Sequence, residues 1–223
     1  MCGKASVHIK WKDVYAYASA LKPPAMLPPD PEPRVNVSPS RLRRKSEPDS
    51  MVWEALPVIH PHADEDLPAE ALWPYIPPYS AGHLPMNRDG QIISTANARL
   101  RTEGKPFAPT FMGAWNAGSR VLVVVSWFYE FDSRVKPQVP YAVFPANAVL
   151  KSVGHHRSPA LLRSGEEART WLHGTAAEAL ALLRPHDNES MGVEAVPMGI
   201  KIPGNEGVQL PHTLMARCVQ ATG

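Results

Sequence analysis

Arg120-Val121-Leu122-Val123-Val124-Val125-Ser126-Trp127-Phe128-Tyr129-Glu130-Phe131 is the most strongly β-forming stretch of this 223-residue chain. Residues 121–125 are wholly apolar and mostly β-branched, the composition of a strand covered on both faces instead of one alternating between core and water. The aromatic run that follows holds one carboxylate, Glu130, between Tyr129 and Phe131. Partial desolvation by such flanks raises a carboxyl toward acid–base use. An outward-pointing strand residue is the equally simple alternative.

Outward from this stretch, short strands and short helices alternate. Val7–Lys10 reads as extended, and Asp13 is placed to cap a helix running through Leu21 that stops before Pro23-Pro24. A proline-rich loop over 22–33 leads to Arg34-Val35-Asn36-Val37-Ser38-Pro39, which alternates before a turn. Further strands are expected at Met51–Ile59, Ala71–Tyr79, Gln91–Ala96 and Tyr141–Phe144, with an acidic loop over His60–Asp66. A short helix is expected over Pro145–Leu150, and two more open at Ser164 and Thr175, each with glutamate three residues on. Past Pro197 the chain reads as loop. Together these elements predict an α+β, β-rich fold with a curved, mostly antiparallel sheet or barrel and short flanking helices. The domain is expected over 2–196, followed by an extension over 197–223.

The composition narrows the class. A hydrophobic content of 44% supports a globular core, and 25 prolines favour loops, bends and edge strands over long helices. Net charge is +2, so a nucleic-acid surface must be a local patch. The two cysteines, Cys2 and Cys218, and the lack of a secretory pattern predict a reducing compartment, with Cys218 a bystander in a mobile tail. No apolar run is long enough to span a membrane; Val14–Leu21 is short and bracketed by Lys10, Lys12 and Lys22. There is no internal repeat and no phosphate-binding glycine loop. His60, His62 and Asp64 suggest a metal, but no second half stands at ligand spacing, and no metal or cofactor is expected. The basic run from Arg41 to Lys45 is either a solvated loop or an edge that contacts phosphates.

Met1-Cys2-Gly3 carries the most reactive chemistry. Removal of Met1, which the small side chain of Cys2 permits, leaves a cysteine with both a free amine (pKa about 8) and a thiol (about 8.5). Such a 1,2-aminothiol condenses with an aldehyde to an imine, and the thiol closes it into a thiazolidine. Cys2 by itself is also compatible with an idle residue, and His155 with an ordinary loop histidine.

The order of short motifs is more informative than any one of them: Met1-Cys2-Gly3, Arg34-Val35-Asn36-Val37-Ser38-Pro39, Trp73-Pro74-Tyr75-Ile76-Pro77, Asn97-Ala98-Arg99, Phe128-Tyr129-Glu130-Phe131 and His155-His156-Arg157-Ser158-Pro159. This series resembles the SOS-response-associated peptidase (SRAP) family, whose members start Met-Cys-Gly and carry Arg-Tyr-Asn-x-x-Pro, Trp-Gly-Leu-Ile-Pro, Asn-Ala-Arg-x-Glu-Thr, Gly-Phe-Tyr-Glu-Trp and His-x-Arg-Met-Pro in that order. Arg101, Trp127 and Ser158 stand where that pattern has glutamate, glycine and methionine, and the segment between Tyr141 and His155 is shorter than is usual there.

The resemblance implies an abasic-site processing protein that binds single-stranded DNA and crosslinks to it through Cys2, with autopeptidase activity on residues ahead of that cysteine. It implies catalytic roles for Asn97, which holds the aminothiol and the aldehyde oxygen, for Glu130 as proton shuttle and for His155 at the sugar hydroxyl. Lys4, Asn36, Arg99 and Arg157 are the implied DNA contacts, with Trp73 and Tyr79 as stacking or wedging aromatics. A cytoplasmic, nucleoid-associated monomer is the implied setting. Two other classes compete: a single-stranded DNA binder that has lost crosslinking, and an N-terminal-nucleophile amidohydrolase, which would need an Asn-Gly oxyanion loop that this chain lacks.

Overall fold

Strand β7 (Arg120–Val125) is buried at every position, as its composition demands. The computed structural model describes residues 4–42, 51–98, 107–132, 139–144, 160–184, 192–195 and 213–218, with the backbone alone at 36, 41–42, 130–132, 139–144, 192–195 and 213–218. β7 lies inside a four-stranded sheet, between β5 (Glu54–His62) and β11 (Thr213–Cys218), with β6 (Glu65–Trp73) outside β5. At Ser126 the chain leaves this sheet. β8 (Trp127–Asp132) joins a five-stranded sheet in the order β10 (Gly192–Ala195), β9 (Val139–Phe144), β8, β1 (Lys4–Val7), β2 (Arg34–Val37). β3 (Arg41–Leu42) and β4 (Met51–Val52) form a small ribbon. Every pairing among the described residues is antiparallel, and they form no closed barrel. With helices α1 (Trp11–Tyr17), α2 (Pro109–Asn116), α3 (Gly165–His173) and α4 (Ala176–Ala181), the fold is α+β.

Several expectations need correction. The acidic loop at 60–66 is a tight hairpin instead: β5 runs to His62, β6 starts at Glu65, and Ala63 turns the chain with φ 48°. Pro57 and Pro61 bracket Val58 and Ile59, the two β5 residues that pair with β7, since proline has no N–H for a third strand. The expected strand at 51–59 is broken at Trp53, and the aromatic strand expected to reach Tyr79 ends at Trp73. Gln91–Ala96 contributes one isolated bridge, Met86 to Ile92. α1 starts two residues before Asp13 and ends at Tyr17; its first amide is met by Asp30 Oδ1, 2.8 Å from Trp11 N, a cap supplied from the proline-rich loop. α2 was not expected. β11 lies where loop was expected, pairing Cys218 opposite Arg120 in a sheet. The helix expected at 145–150 lies outside the described residues.

Two buried polar groups lace helices to sheets. Arg120, at the start of β7, lies between the rings of Trp115 and Trp171, 5.8 and 5.9 Å from their centroids. Its Nε donates to Trp171 O at 2.5 Å and its Nη2 to Gly174 O, so a strand residue satisfies the carbonyls that α3 leaves open at its C-terminus. Trp171 Nε1 returns a bond to Val121 O at 2.9 Å. Asp66, at the start of β6, accepts from Lys22 N at 2.8 Å and lies 2.6 Å from His173 Nε2 at the end of α3. Tyr15 of α1 donates to the Asp66 carbonyl; burial, then Asp66 and Glu65, push this hydroxyl above its ordinary pKa and keep it a donor.

Of the two capping boxes expected, only that of α4 is complete, with Thr175 and Glu178 bonded reciprocally. Ser164 caps Glu167 N, but Glu167 reaches back to Arg163 N instead. Gly165 opens α3 against the turn after α1; a Cβ there would sit 3.0 Å from Ala18 C and 3.1 Å from Ser19 N and Ala20 N, all backbone.

Arg120→Met, which keeps the apolar stem and strands the two carbonyls, is expected to cost roughly 2–4 kcal/mol in urea unfolding. Ala63→Gly, relieving an L-residue of left-handed backbone, is expected to raise stability by about 1 kcal/mol in the same assay.

Candidate functional site

β1 is the middle of three strands that carry motif residues. On one side it pairs with β8 in the register Lys4–Tyr129, Ala5–Phe128 and Ser6–Trp127; on the other it pairs with β2 through Ala5–Val37 and Val7–Arg34, with a bulge between. Cross-strand partners share a face. Ala5 and Phe128 face the core, and Lys4, Ser6, Trp127 and Tyr129 take the opposite face. Glu130 is the β8 residue next beyond the Lys4–Tyr129 pair, at the N-terminal end of β1, and Asn36 lies in β2.

Local chemistry explains why β1 sits there. Ser126 Oγ accepts from His8 N at 2.8 Å and donates to His8 O at 2.9 Å, while Ser126 N donates to Ser6 O at 2.9 Å. Ser6 Oγ donates to Arg34 O at 3.1 Å. Arg34 then crosses to the four-stranded sheet, bonding Ala55 O at 3.1 Å and both Glu70 oxygens at 2.9 and 3.0 Å.

Trp127, in the position of the glycine of the resembled motif, takes ordinary strand backbone and is buried edge-on to Tyr129 at 6.4 Å. Burial raises the Tyr129 pKa from 10.0, and the neighbouring Trp127 and Ser6 pull it partly back. Tyr129 is therefore a neutral hydroxyl near neutral pH.

Asn97 is half-buried, on a segment held from β6 and its continuation. Trp73 Nε1 donates to Ala96 O at 3.0 Å, and Tyr75 N to Thr95 O at 3.4 Å. Trp73 was expected to stack on or wedge into DNA; at 2% exposure it is a core residue, and its indole positions the Asn97 segment. Tyr79 is 67% exposed on a 3₁₀ turn (Pro78–Ser80), its hydroxyl 3.4 Å from Thr110 Oγ1. Cys2, Arg99, His155 and Arg157 lie outside the described residues, as does the side chain of Glu130.

Among the described residues no group of three or more His, Cys, Asp or Glu comes together to hold a metal. His60 and His62 are neighbours, 6.5 Å between ring centroids. No helix of the described residues is long and apolar enough to cross a membrane. Ser126 and Thr95 were missed as positions of interest. Ser126 had a signal, being the one polar residue between two apolar runs.

No protein-family model matches the chain, and no curated protein is similar to it in sequence. Its shape resembles a crystal structure of a protein from Bordetella bronchiseptica, at 18% identity and TM-score 0.57, over 88% of this chain and 100% of that one. It also resembles a phage-related protein of the same organism, at 18% identity and TM-score 0.53, over 87% of this chain and 94% of that one. At this identity the likeness establishes a common fold.

Trp73→Phe, which removes the bond to Ala96 O, is expected to lower stability by about 1–2 kcal/mol, whereas Tyr79→Ala is expected to leave it within about 0.5 kcal/mol; thermal unfolding separates the two.

Proposed function

We propose that the chain is an abasic-site sensor of the SRAP type, which binds single-stranded DNA and forms a thiazolidine crosslink through Cys2 once Met1 is removed. The observation that carries this reading is the strand order β8-β1-β2. It lays the strand that follows Cys2 between the strand of Glu130 and the strand of Asn36, so motifs far apart in sequence stand on neighbouring strands.

The chemistry is balanced without a cofactor. The α-amine of Cys2 adds to the ring-opened sugar aldehyde and water leaves, giving an imine; the thiolate adds to the imine carbon, and the nitrogen takes up a proton. Glu130 moves protons in ring opening and dehydration, His155 assists at the sugar hydroxyl, and Asn97 holds the aldehyde oxygen through its amide. Lys4, Arg99 and Arg157 contact phosphates, and Tyr79 offers a stacking face. Trp73 serves indirectly, by fixing the backbone beside Asn97. The protein works as a monomer in the cytoplasm, near the nucleoid, and the peptidase activity clears residues ahead of Cys2. The finer fold is then that of the SRAP family, its curved surface assembled from the two sheets.

A denaturing gel of protein incubated with single-stranded DNA carrying one abasic site tests this directly. A slow band for wild type on abasic DNA, absent on intact DNA and for Cys2→Ala, is the expected result. An adduct formed by Cys2→Ala, or no adduct from wild type whose Met1 is shown by mass spectrometry to be gone, overturns it.

A further inference from the structure

The chain reaches β2 through Lys22-Pro23-Pro24-Ala25-Met26-Leu27-Pro28-Pro29-Asp30-Pro31-Glu32-Pro33, which is neither helix nor strand. Proline fixes its own φ and holds the residue before it extended. From Leu27 to Pro33 every residue is a proline or precedes one, so this half of the segment is a preformed polyproline II strip with roughly three residues per turn. The body of the protein fastens the segment at a few points. Lys22 N donates to Asp66 Oδ2 at 2.8 Å, and Lys22 O accepts from Asp66 N at 2.7 Å. Leu27 packs on the core, and Asp30 Oδ1 accepts from Trp11 N at 2.8 Å. Leu27 and Asp30 are one polyproline turn apart, so the anchors lie along one edge. The other edges face out: Pro28, Pro29 and Glu32 are exposed and Pro31 is half-buried. Met26, just ahead of the strip, is 85% exposed. A connection from α1 to β2 requires neither a bare methionine nor a ridge of exposed proline rings, and both suit a surface that another protein covers.

We propose that residues 26–33 are a docking ligand for a partner protein with an aromatic-lined groove of the SH3 or WW kind and basic side chains at its rim. Pro28 and Pro31 stand one turn apart, the Pro-x-x-Pro spacing that such grooves receive between their rings. The only charged residues from Pro23 to Pro33 are Asp30 and Glu32, so the complementary rim is positive. The prolines and the anchors order the strip before any partner arrives, which keeps the entropy cost of association small. The ridge also lies away from the N-terminus of the chain. Pro33 runs directly into Arg34, which pairs with Val7 at the C-terminal end of β1, whereas Cys2 precedes the other end of that strand. Docking here is therefore independent of the crosslinking chemistry proposed above.

Calorimetric titration of the full-length protein with a panel of recombinant SH3 and WW domains, at low and at physiological salt, tests this. At least one domain is expected to bind one to one, more tightly at low salt. Replacing two exposed rings together, Pro28→Ala with Pro29→Ala, is expected to weaken that binding about tenfold or more. Glu32→Lys leaves every proline in place and is expected to weaken binding while flattening its salt dependence. Both variants keep the Leu27 and Asp30 anchors and are expected to melt near wild type, which separates lost docking from lost folding. If no domain of the panel binds, or if binding survives both sets of substitutions, the segment is a rigid spacer and the proposal is overturned.

Discussion

At Ser126 one continuous stretch of chain passes from the buried strand of one sheet to the motif-bearing strand of the other, and three hydrogen bonds hold the corner. The Ser126 hydroxyl satisfies both backbone groups of His8, and its amide meets Ser6 O. A strand that changes sheets must bend, and the bend exposes backbone groups that need partners. Here the partner is the end of β1. The N-terminal strand is thereby fixed in register on β8.

Around this corner the helices are attached by charge instead of by apolar area alone. Arg120 enters from the sheet to close the carbonyl end of α3, between two indoles that shield its hydrogen bonds from water. Asp66 gathers the loop after α1, the start of β6 and the end of α3 at one carboxylate. Each attachment joins residues far apart in sequence. Removing one partner leaves the other buried and unmatched, which makes such links specific to one arrangement of the elements.

The two indoles that stand in sequence motifs are both buried, each for its own physical reason. The family resemblance implied a nucleic-acid role for Trp73, yet a strand end against a hydrophobic core buries a large ring when its N–H finds a carbonyl, and Ala96 O supplies one. Trp127 replaces a glycine of the resembled motif without needing glycine's conformations, because a regular ladder position asks only for extended backbone. Tyr79 remains outside because it sits on a turn with no strand partner.

By itself the sequence determined the all-apolar strand at 121–125, the α+β class, the start of both helices near the C-terminal part of the domain, and the residue types suited to aldehyde chemistry. These are local properties: composition, periodicity and caps act within a few residues. Only the tertiary structure decided that His60–Asp66 is a hairpin, that Asp30 caps α1 from a distance, that Thr213–Cys218 completes a sheet, and that β1 lies between β8 and β2. Strand order, register and distant caps depend on which backbone groups find each other across the fold. Pairing of that kind leaves no mark on the stretch of sequence that takes part in it.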